Sequence, residues 1–219
     1  MKKAVIFDFD GTIADTLSAI QEGVNMTMRL KGYPEHDLAA ILSFINYGAR
    51  HLIRMALPVD LQEDESKVNE TLKLYDQCYE KVFLHTDRAY DGVAELIERL
   101  HKDYKIGVLS NKQDIFVKQL SAQILKADSY DAAQGVIPNR PTKPHPFLSE
   151  KIATDMGVIP EECIIVGDSD IDILTAKQAD MTHIGVAWGF RSEEFLRQNG
   201  ATRIAHTPEE LEEIIRSIE

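Results

Sequence analysis

Two kinds of hydrophobic pattern divide the chain. At the amino terminus and again from about residue 90, short runs of consecutive apolar residues alternate with segments whose apolar residues recur every three or four positions. The first kind is typical of buried β-strands and the second of amphipathic helices. Residues 16–84 carry only the helical pattern, with one run ending at Pro58 and a long helix predicted over residues 62–84. The sequence therefore predicts alternating strands and helices, interrupted after the first strand by a helical insertion.

The predicted elements outside the insertion have an α/β order. After an opening strand, further strands are predicted at residues 105–109, 163–166 and 183–187, with shorter β-rich runs at 130–136 and 201–205. Helices are predicted at residues 93–100, 115–125, 147–156 and 171–179, and a last one from residue 208. Apolar strands that alternate with helices indicate a parallel sheet covered on both faces. Residues 1–15 and 85–219 then form the core, and residues 16–84 form a separate helical domain.

Composition narrows the class of protein. The 219 residues are 44% apolar and 27% charged, which is ordinary for a soluble globular protein. The net charge of −12 disfavours nucleic acid and anionic membrane surfaces as partners. Only Cys78 and Cys163 are present, so neither a disulfide framework nor a zinc site is expected. No apolar stretch approaches the ~20 residues that span a membrane. Together with the two isolated cysteines, this leads us to expect a protein of the reducing cytoplasm. Its oligomeric state is expected to be a monomer or a homodimer.

The opening strand runs directly into two carboxylates, Asp8 and Asp10, and then into Gly11. Side chains two residues apart on an extended chain point to the same side, so both carboxylates can converge beyond the strand. Two such charges about 4 Å apart repel by about 4 kcal/mol at an effective dielectric constant of roughly 20. A divalent cation, a shared proton or a covalent intermediate can offset this repulsion. Taken alone, acidic residues at a strand end are also common turn formers.

Polar residues follow other predicted strands as well. Ser110 and Asn111 follow one strand, Asp168 and Asp172 follow another, and Lys143 lies between them in the sequence. Parallel strands end at one edge of a sheet, where ligands bind. Together these groups suit phosphoryl transfer: a carboxylate attacks phosphorus, a second exchanges protons, Mg²⁺ neutralises charge, and Ser110 and Lys143 hold phosphate oxygens. Taken singly, Ser110 and Asn111 are typical helix caps and Lys143 a solvated lysine, so their joint placement carries the prediction.

Four segments of the chain resemble the four motifs of the haloacid dehalogenase-like hydrolase superfamily. They are residues 8–12, 109–112, 143–146 and 167–172. The helical insertion and residues 185–190 are similar to the phosphoglycolate phosphatase-like branch. The resemblance implies a Rossmann-like, three-layer α/β core with a parallel sheet. It also implies that the inserted helices form a cap domain.

The resemblance further implies a role for each motif residue. Asp8 would be the nucleophile, and Asp10 would be the general acid and base. Mg²⁺ would be bound by the carboxylates of Asp8 and Asp168 and by the backbone carbonyl of Asp10. Asp172 would support the water shell of the metal or Lys143. The residues that would bind phosphate are Ser110, Asn111 and Lys143.

An acid at the position of Asp10 distinguishes activities within the superfamily, because dehalogenases and phosphonate-cleaving members lack it. The chain therefore resembles a Mg²⁺-dependent phosphatase that hydrolyses a small, phosphoglycolate-like metabolite through an aspartyl-phosphate. A phosphosugar mutase similar to β-phosphoglucomutase and an inorganic pyrophosphatase of the same fold are alternatives, although residues 15–20 lack the cap histidine usual in mutases. A phospho-ligand sensor without turnover is the non-enzymatic alternative.

Substrate selectivity is predicted to come from the helical insertion. A glycine and an aromatic residue precede Arg50 and His51, as in the substrate-facing cap loop of the family. Arg50 is therefore the candidate substrate contact, and a solvated helix start is the alternative for both residues. The chain departs from the family pattern at Ala89, Thr142 and Asp180, where proline, glycine and glycine are usual. These departures disfavour phosphoglycolate itself, whereas aspartate tolerates the left-handed backbone, so the fold is expected to persist.

Overall fold

A parallel sheet organises the larger of two compact units. The computed structural model describes residues 1–86 and 88–218. The larger unit consists of Met1–Asp15 and Ala89–Glu219, and the helical unit consists of Thr16–Arg88. The sequence-based division places the second boundary after residue 84 instead. Each unit has buried apolar residues of its own.

Six strands form the main sheet. They are β1 (Ala4–Asp8), β4 (Lys105–Gln113), β5 (Ala132–Val136), β6 (Cys163–Gly167), β7 (Thr182–Val186) and β8 (Ile204–Ala205). Two short strands, β2 (Ala14–Asp15) and β3 (Arg88–Ala89), pair with each other where the chain passes between the units. The order in the main sheet is β5, β4, β1, β6, β7, β8, and every pair of neighbours is parallel within the described residues.

Helices occupy most of the remaining chain. Those of the helical unit are α1 (Leu17–Lys31), α2 (Leu38–Phe44), α3 (Ala49–Ala56), α4 (Glu65–Tyr79) and α5 (Phe83–Thr86). Those of the larger unit are α6 (Val93–Leu100), α7 (Asp114–Ile124), α8 (Phe147–Asp155), α9 (Asp170–Gln178), α10 (Glu193–Gln198) and α11 (Pro208–Ser217). Single 3-10 turns occur at Val59–Leu61 and Pro160–Glu162.

β1 lies in the middle of the sheet and is buried on both faces. The four apolar residues that precede Asp8 are all 0% exposed, and successive side chains of a strand point to opposite faces. On one face, α8 packs so closely that a Cβ on Gly107 of β4 would lie 2.8 Å from the Cγ2 atom of Ile152. The predicted fold class, an α/β protein with a parallel sheet, is confirmed.

The strand order places a topological switch point beside β1. The chain adds β4 and β5 on one side of β1, and then β6, β7 and β8 on the other side. The register sets Asp8 opposite Leu109 of β4, and Phe7 opposite Val166 of β6. In open α/β sheets, ligands bind beyond the carboxyl ends of the strands at such a switch point. The end of β1 is therefore where the fold itself favours a binding site.

Several elements of the structure differ from the sequence-based predictions. β4 continues to Gln113, because after a register shift this residue pairs with Val136 of β5. The helix predicted over residues 62–84 is divided into α4 and α5 by a turn at residues 80–82. The short helix α10 has no counterpart among the predicted elements, because it has few apolar residues and begins at the polar cap Ser192.

The helical unit is built around the packing of α1 against α4. Gly23 of α1 permits the close approach, since a Cβ there would lie 3.1 Å from the ring of Tyr79 and 3.3 Å from the ring of Tyr75. The two tyrosine rings stack with their centroids 5.6 Å apart. α3 ends at Ala56, shortly before Pro58, as the sequence predicts. Among the described residues, no helix combines the length and the apolar character needed to cross a bilayer.

Candidate active site

Two loops enclose the carboxylate of Asp168, which is 0% exposed. Gly11, in the turn after β1, has a φ of +83°, and a Cβ there would lie 2.4 Å from Oδ2 of Asp168. A Cβ on Gly189 would lie 2.3 Å from the Cβ of Asp168. The backbone N–H of Phe190 donates to Oδ2 at 2.7 Å, and the hydroxyl of Thr12 donates to Oδ1 at 3.3 Å. The glycines therefore let the backbone approach and orient this carboxylate.

Lys143 places a buried ammonium between two carboxylates. Its Nζ lies 2.8 Å from Oδ1 of Asp8 and 2.7 Å from Oδ1 of Asp172, and the residue is only 4% exposed. Burial by itself lowers the pKa of Lys143, but Asp172 and Asp8 outweigh burial, so the pKa lies above its ordinary value. Lys143 therefore remains charged. Removing either partner of such a buried pair would leave an uncompensated charge.

Asn111 holds the backbone of Lys143. Its Nδ2 donates to the carbonyl oxygen of Lys143 at 2.9 Å, and the N–H of Lys143 donates back to Oδ1 at 2.9 Å. This double hydrogen bond joins the end of β4 to the loop that carries the lysine. The sequence predicts Asn111 as a phosphate ligand. In the structure its side-chain amide is hydrogen-bonded to the backbone of Lys143, and its predicted contact with phosphate stays a prediction.

Asp172 lies in the first turn of α9, where its position is set by the start of the helix. The N–H and the hydroxyl of Ser169 donate to its Oδ2 at 3.2 and 2.5 Å. A Cβ on Gly167 would lie 2.3 Å from the Cγ of Asp172, so the end of β6 must be glycine for the carboxylate to occupy this place. Ser-x-x-Asp is the pattern of a capping box, in which the acidic side chain turns back to the cap. That turn also brings Asp172 to Lys143.

Asp8, Asp168 and Asp172 form a carboxylate cluster that fits a divalent cation. One oxygen from each lies within 4.8 Å of the others, and all three residues are buried. Burial, together with Asp172, raises the pKa of Asp8 well above its usual range, and the same two causes raise the pKa of Asp168 to about 7. With all three ionised and Lys143 protonated, the formal charge would be minus two. Carboxylate oxygens are ligands that hard divalent cations prefer, so the donor set suits such an ion.

Asp10 lies outside this carboxylate cluster although it is only two residues from Asp8. Its Oδ2 accepts a hydrogen bond from the hydroxyl of Ser110 at 3.1 Å, and its Oδ1 lies 2.9 Å from Nζ of Lys112. The Lys112 side chain is 8% exposed, against 19% for Asp10. Sequence reasoning missed Lys112, because the strand was predicted to end at Leu109. The available signal was that Lys112 lies two residues after Ser110, which on an extended chain places both side chains on the same side.

Arg50 and His51 lie at the start of α3 in the helical unit. Arg50 is ion-paired with Glu65 and donates to Oδ1 of Asn69 at 2.6 Å. The His51 ring lies 5.0 Å from that of Tyr47, and burial together with the charge of Arg54 lowers the pKa of His51. All of these contacts are made within the helical unit. The predicted contact between Arg50 and substrate stays a prediction.

Most of the chain matches a known protein family. The sequence profile of the family described as haloacid dehalogenase-like hydrolases matches residues 5–186. The chain belongs to this family. The match spans the parallel sheet as far as the end of β7 and includes the four motif segments, residues 8–12, 109–112, 143–146 and 167–172.

Several similar proteins have names that describe phosphatases. The phosphoglycolate phosphatase of Colwellia psychrerythraea is 26% identical over 204 residues, which cover 91% of this chain and 90% of that protein. A 5′-nucleotidase of Pseudomonas aeruginosa is 25% identical, covering 97% of this chain and 95% of that protein. A crystal structure from Lactobacillus delbrueckii, of a protein proposed to be a phosphoglycolate phosphatase, has a TM-score of 0.88 and 31% identity, covering 98% and 99% of the two chains. These matches confirm the predicted family and support the predicted class of enzyme, a phosphatase.

Proposed function

We propose that this hydrolase is a Mg²⁺-dependent phosphatase that transfers the phosphoryl group of a small metabolite to Asp8 and then to water. The observation that carries the proposal is the contact of 2.8 Å between the Asp8 carboxylate, at the end of the central strand, and the buried ammonium of Lys143. The positive charge of Lys143 lowers the pKa of Asp8 and so opposes the increase that burial and Asp172 cause. An ionised carboxylate can attack phosphorus and form an aspartyl-phosphate.

Mg²⁺ would be held by the carboxylates of Asp8 and Asp168 and by the backbone carbonyl of Asp10. When bound, it would neutralise the carboxylate cluster and stabilise charge on phosphoryl oxygens. The excess negative charge of the cluster supports a divalent cation at this place. Asp172 would act indirectly, by keeping Lys143 charged and in position.

Asp10 is the proposed general acid and base. In the first half-reaction an Asp8 oxygen bonds to phosphorus, the bond from phosphorus to the leaving oxygen breaks, and that oxygen takes the carboxyl proton of Asp10. In the second, the Asp10 carboxylate takes a proton from water, whose oxygen bonds to phosphorus as the bond to Asp8 breaks. Such proton transfer typically contributes about 10²–10⁴-fold to a rate. Ser110 and Lys143 would donate to the remaining phosphate oxygens, while Asn111 contributes by holding Lys143.

The helical unit is the proposed cap, which would select the leaving group. The names of the relatives, phosphoglycolate phosphatase and 5′-nucleotidase, support a small phosphorylated metabolite as the substrate class. Arg50 would have to exchange its contact with Glu65 for one with substrate. The two buried cysteines are both free, which suits the reducing cytoplasm that we propose as the place of action.

The proposal is tested by measuring phosphate release over a panel that contains phosphoglycolate, nucleoside monophosphates, sugar phosphates and pyrophosphate, with and without Mg²⁺. We expect Asp8→Ala to abolish release and Asp155→Asn, a change to an exposed aspartate, to leave it at the wild-type rate. Wild-type rates for Asp8→Ala would refute the mechanism. Isomerisation of a sugar phosphate with little phosphate release would favour the mutase, and phosphate-ester binding without any turnover would favour the sensor.

A further inference from the structure

We propose that Lys112 is a positioning residue that holds Asp10 for proton exchange with the leaving group. The inference rests on the proposed function, in which Asp10 is the general acid and base. Its basis is an ion pair of 2.9 Å between Nζ of Lys112 and Oδ1 of Asp10, made by a lysine side chain that is only 8% exposed. An ammonium is removed from water at a large cost in free energy unless it is paired. Here that pairing is directed at the residue that must move protons.

The shape of β4 explains why this lysine reaches Asp10. β4 continues beyond Leu109 as extended chain, so Ser110 and Lys112, two residues apart, point to the same side. The register of β4 against β5 shifts between Leu109 and Gln113, and such irregularities re-aim side chains beside active sites. Ser110 then contacts Oδ2 of Asp10 and Lys112 contacts Oδ1. The strand thus holds both oxygens of one carboxylate.

Ser110 cannot serve Asp10 and phosphate at the same time. A hydroxyl has a single proton to donate, and in the structure Ser110 donates it to Oδ2 of Asp10 at 3.1 Å. When Ser110 turns to a phosphate oxygen, as the proposed function requires, that contact is given up. The contact of Lys112 with Oδ1 need not change. Lys112 therefore fixes the carboxylate through Oδ1, and Oδ2 is the oxygen that exchanges the proton.

A direct contact between Lys112 and the phosphate is the competing role, and leaving groups distinguish the two. General-acid catalysis matters most for alkyl phosphates, whose alkoxide leaves poorly, and least for p-nitrophenyl phosphate, whose phenolate leaves readily. If Lys112 positions Asp10, replacing Lys112 must slow the hydrolysis of alkyl phosphates more than that of p-nitrophenyl phosphate. A phosphate ligand would affect all substrates by the same factor, since every substrate carries the same phosphoryl group.

The experiment measures kcat/KM of Lys112→Met, Lys112→Arg and the exposed control Lys126→Met on an alkyl phosphate and on p-nitrophenyl phosphate. For Lys112→Met we expect a loss of at least about tenfold on the alkyl substrate and less than about threefold on the aryl substrate. Lys112→Arg, which keeps the charge, should recover a large part of the loss. The control should match wild type on both. Equal losses on the two substrates, or a weakened inhibition by inorganic phosphate that accounts for the whole loss, would overturn the proposal.

A double-mutant cycle with phenyl phosphate supplies an independent test. If Lys112 acts through Asp10, Lys112→Met should cost less than about twofold in an Asp10→Asn background, although it costs much more in the wild-type background. Multiplicative effects would overturn the inference. Thermal unfolding of each variant identifies any that fail to fold. If Lys112→Met fails to fold, Lys112→Arg is compared with the wild type in its place. Failure of the proposed function itself is recognised separately, because Asp8→Ala would then retain phosphate release.

Discussion

His183 lies inside β7 with an imidazole that the folded protein keeps neutral. Both ring nitrogens are buried, and neither has a hydrogen-bond partner in the described part of the chain. Burial lowers the pKa of His183 from an ordinary value of 6.5 to about 4, and the carboxylate of Asp172 opposes the shift only in part. We expect His183→Leu to remove a dependence of stability on pH that the wild-type protein shows.

The size of the effect follows from the two pKa values of His183. Below pH 6.5 the His183 imidazole of the unfolded chain takes up a proton, whereas in the folded protein it does so only near pH 4. The contribution to stability is therefore fully present above pH 6.5 and is lost as the pH falls from 6.5 towards 4. The full loss is about 3 kcal/mol. Between pH 7.5 and 5.5, linkage gives a decrease of about 1.3 kcal/mol in the free energy of unfolding.

Urea unfolding at pH 7.5 and 5.5 measures this contribution while staying above the isoelectric point of about 5.0. The quantity compared is the change in unfolding free energy between the two pH values, for wild type, His183→Leu and His183→Gln. We expect both variants to lose about 1.3 kcal/mol less than wild type on acidification. The exposed His206 is a control with the opposite sign. Glu193 and Glu210 raise its pKa, so its contribution to the stability of the folded protein is present at low pH and is lost as the pH rises. An identical pH dependence for wild type and His183→Leu would refute the reasoning.

Three further predictions concern the candidate active site. The pKa of Asp168 is raised to about 7, the pKa of Asp8 is also raised, and both carboxylates must be ionised to bind a metal. Mg²⁺ affinity measured by calorimetry should therefore fall by at least about tenfold per pH unit below 7, and a flat profile would contradict this. Gly167→Ala places a Cβ 2.3 Å from the Cγ of Asp172, so kcat/KM and Tm should both fall, and wild-type values would show that the close approach is unimportant. Asn111→Ala leaves the N–H and carbonyl of Lys143 without the amide, which should lower the free energy of unfolding by about 2 kcal/mol in urea titrations, whereas a loss below about 0.5 kcal/mol would argue against the double hydrogen bond.

The parallel sheet and the strand-end loops were predictable from sequence because their signals are local. A strand buried on both faces is a continuous apolar run, and the one before Asp8 ends in charged residues without a break. The order of such runs and helices is enough to indicate which strand ends share an edge. Asp180 also behaves as expected, since it adopts a φ of 55° where a glycine is usual.

The contacts that the sequence did not reveal depend on pairing between distant segments. The extension of β4 to Gln113 comes from its pairing with Val136, and polar residues there do not look like a buried strand. Lys112 was missed for the same reason. The role of Asn111 depends on a partner 32 residues away. Local patterns carry no information about which of two polar partners, phosphate or backbone, such an amide will contact.

The central place of β1 has a consequence for the order in which the protein can form during synthesis. β1 leaves the ribosome well before its neighbours in the sheet, because β4 and β6 begin only at Lys105 and Cys163. Contacts between residues so far apart in sequence form slowly. An apolar strand that has no partner strand yet is prone to aggregation. The Asp8 carboxylate likewise lacks Lys143 and Asp172 until both have been synthesised. A nascent chain should therefore gain activity only late, once the loop with Gly189 and Phe190 that encloses Asp168 has also emerged, and until then β1 is the segment that a chaperone would have to protect.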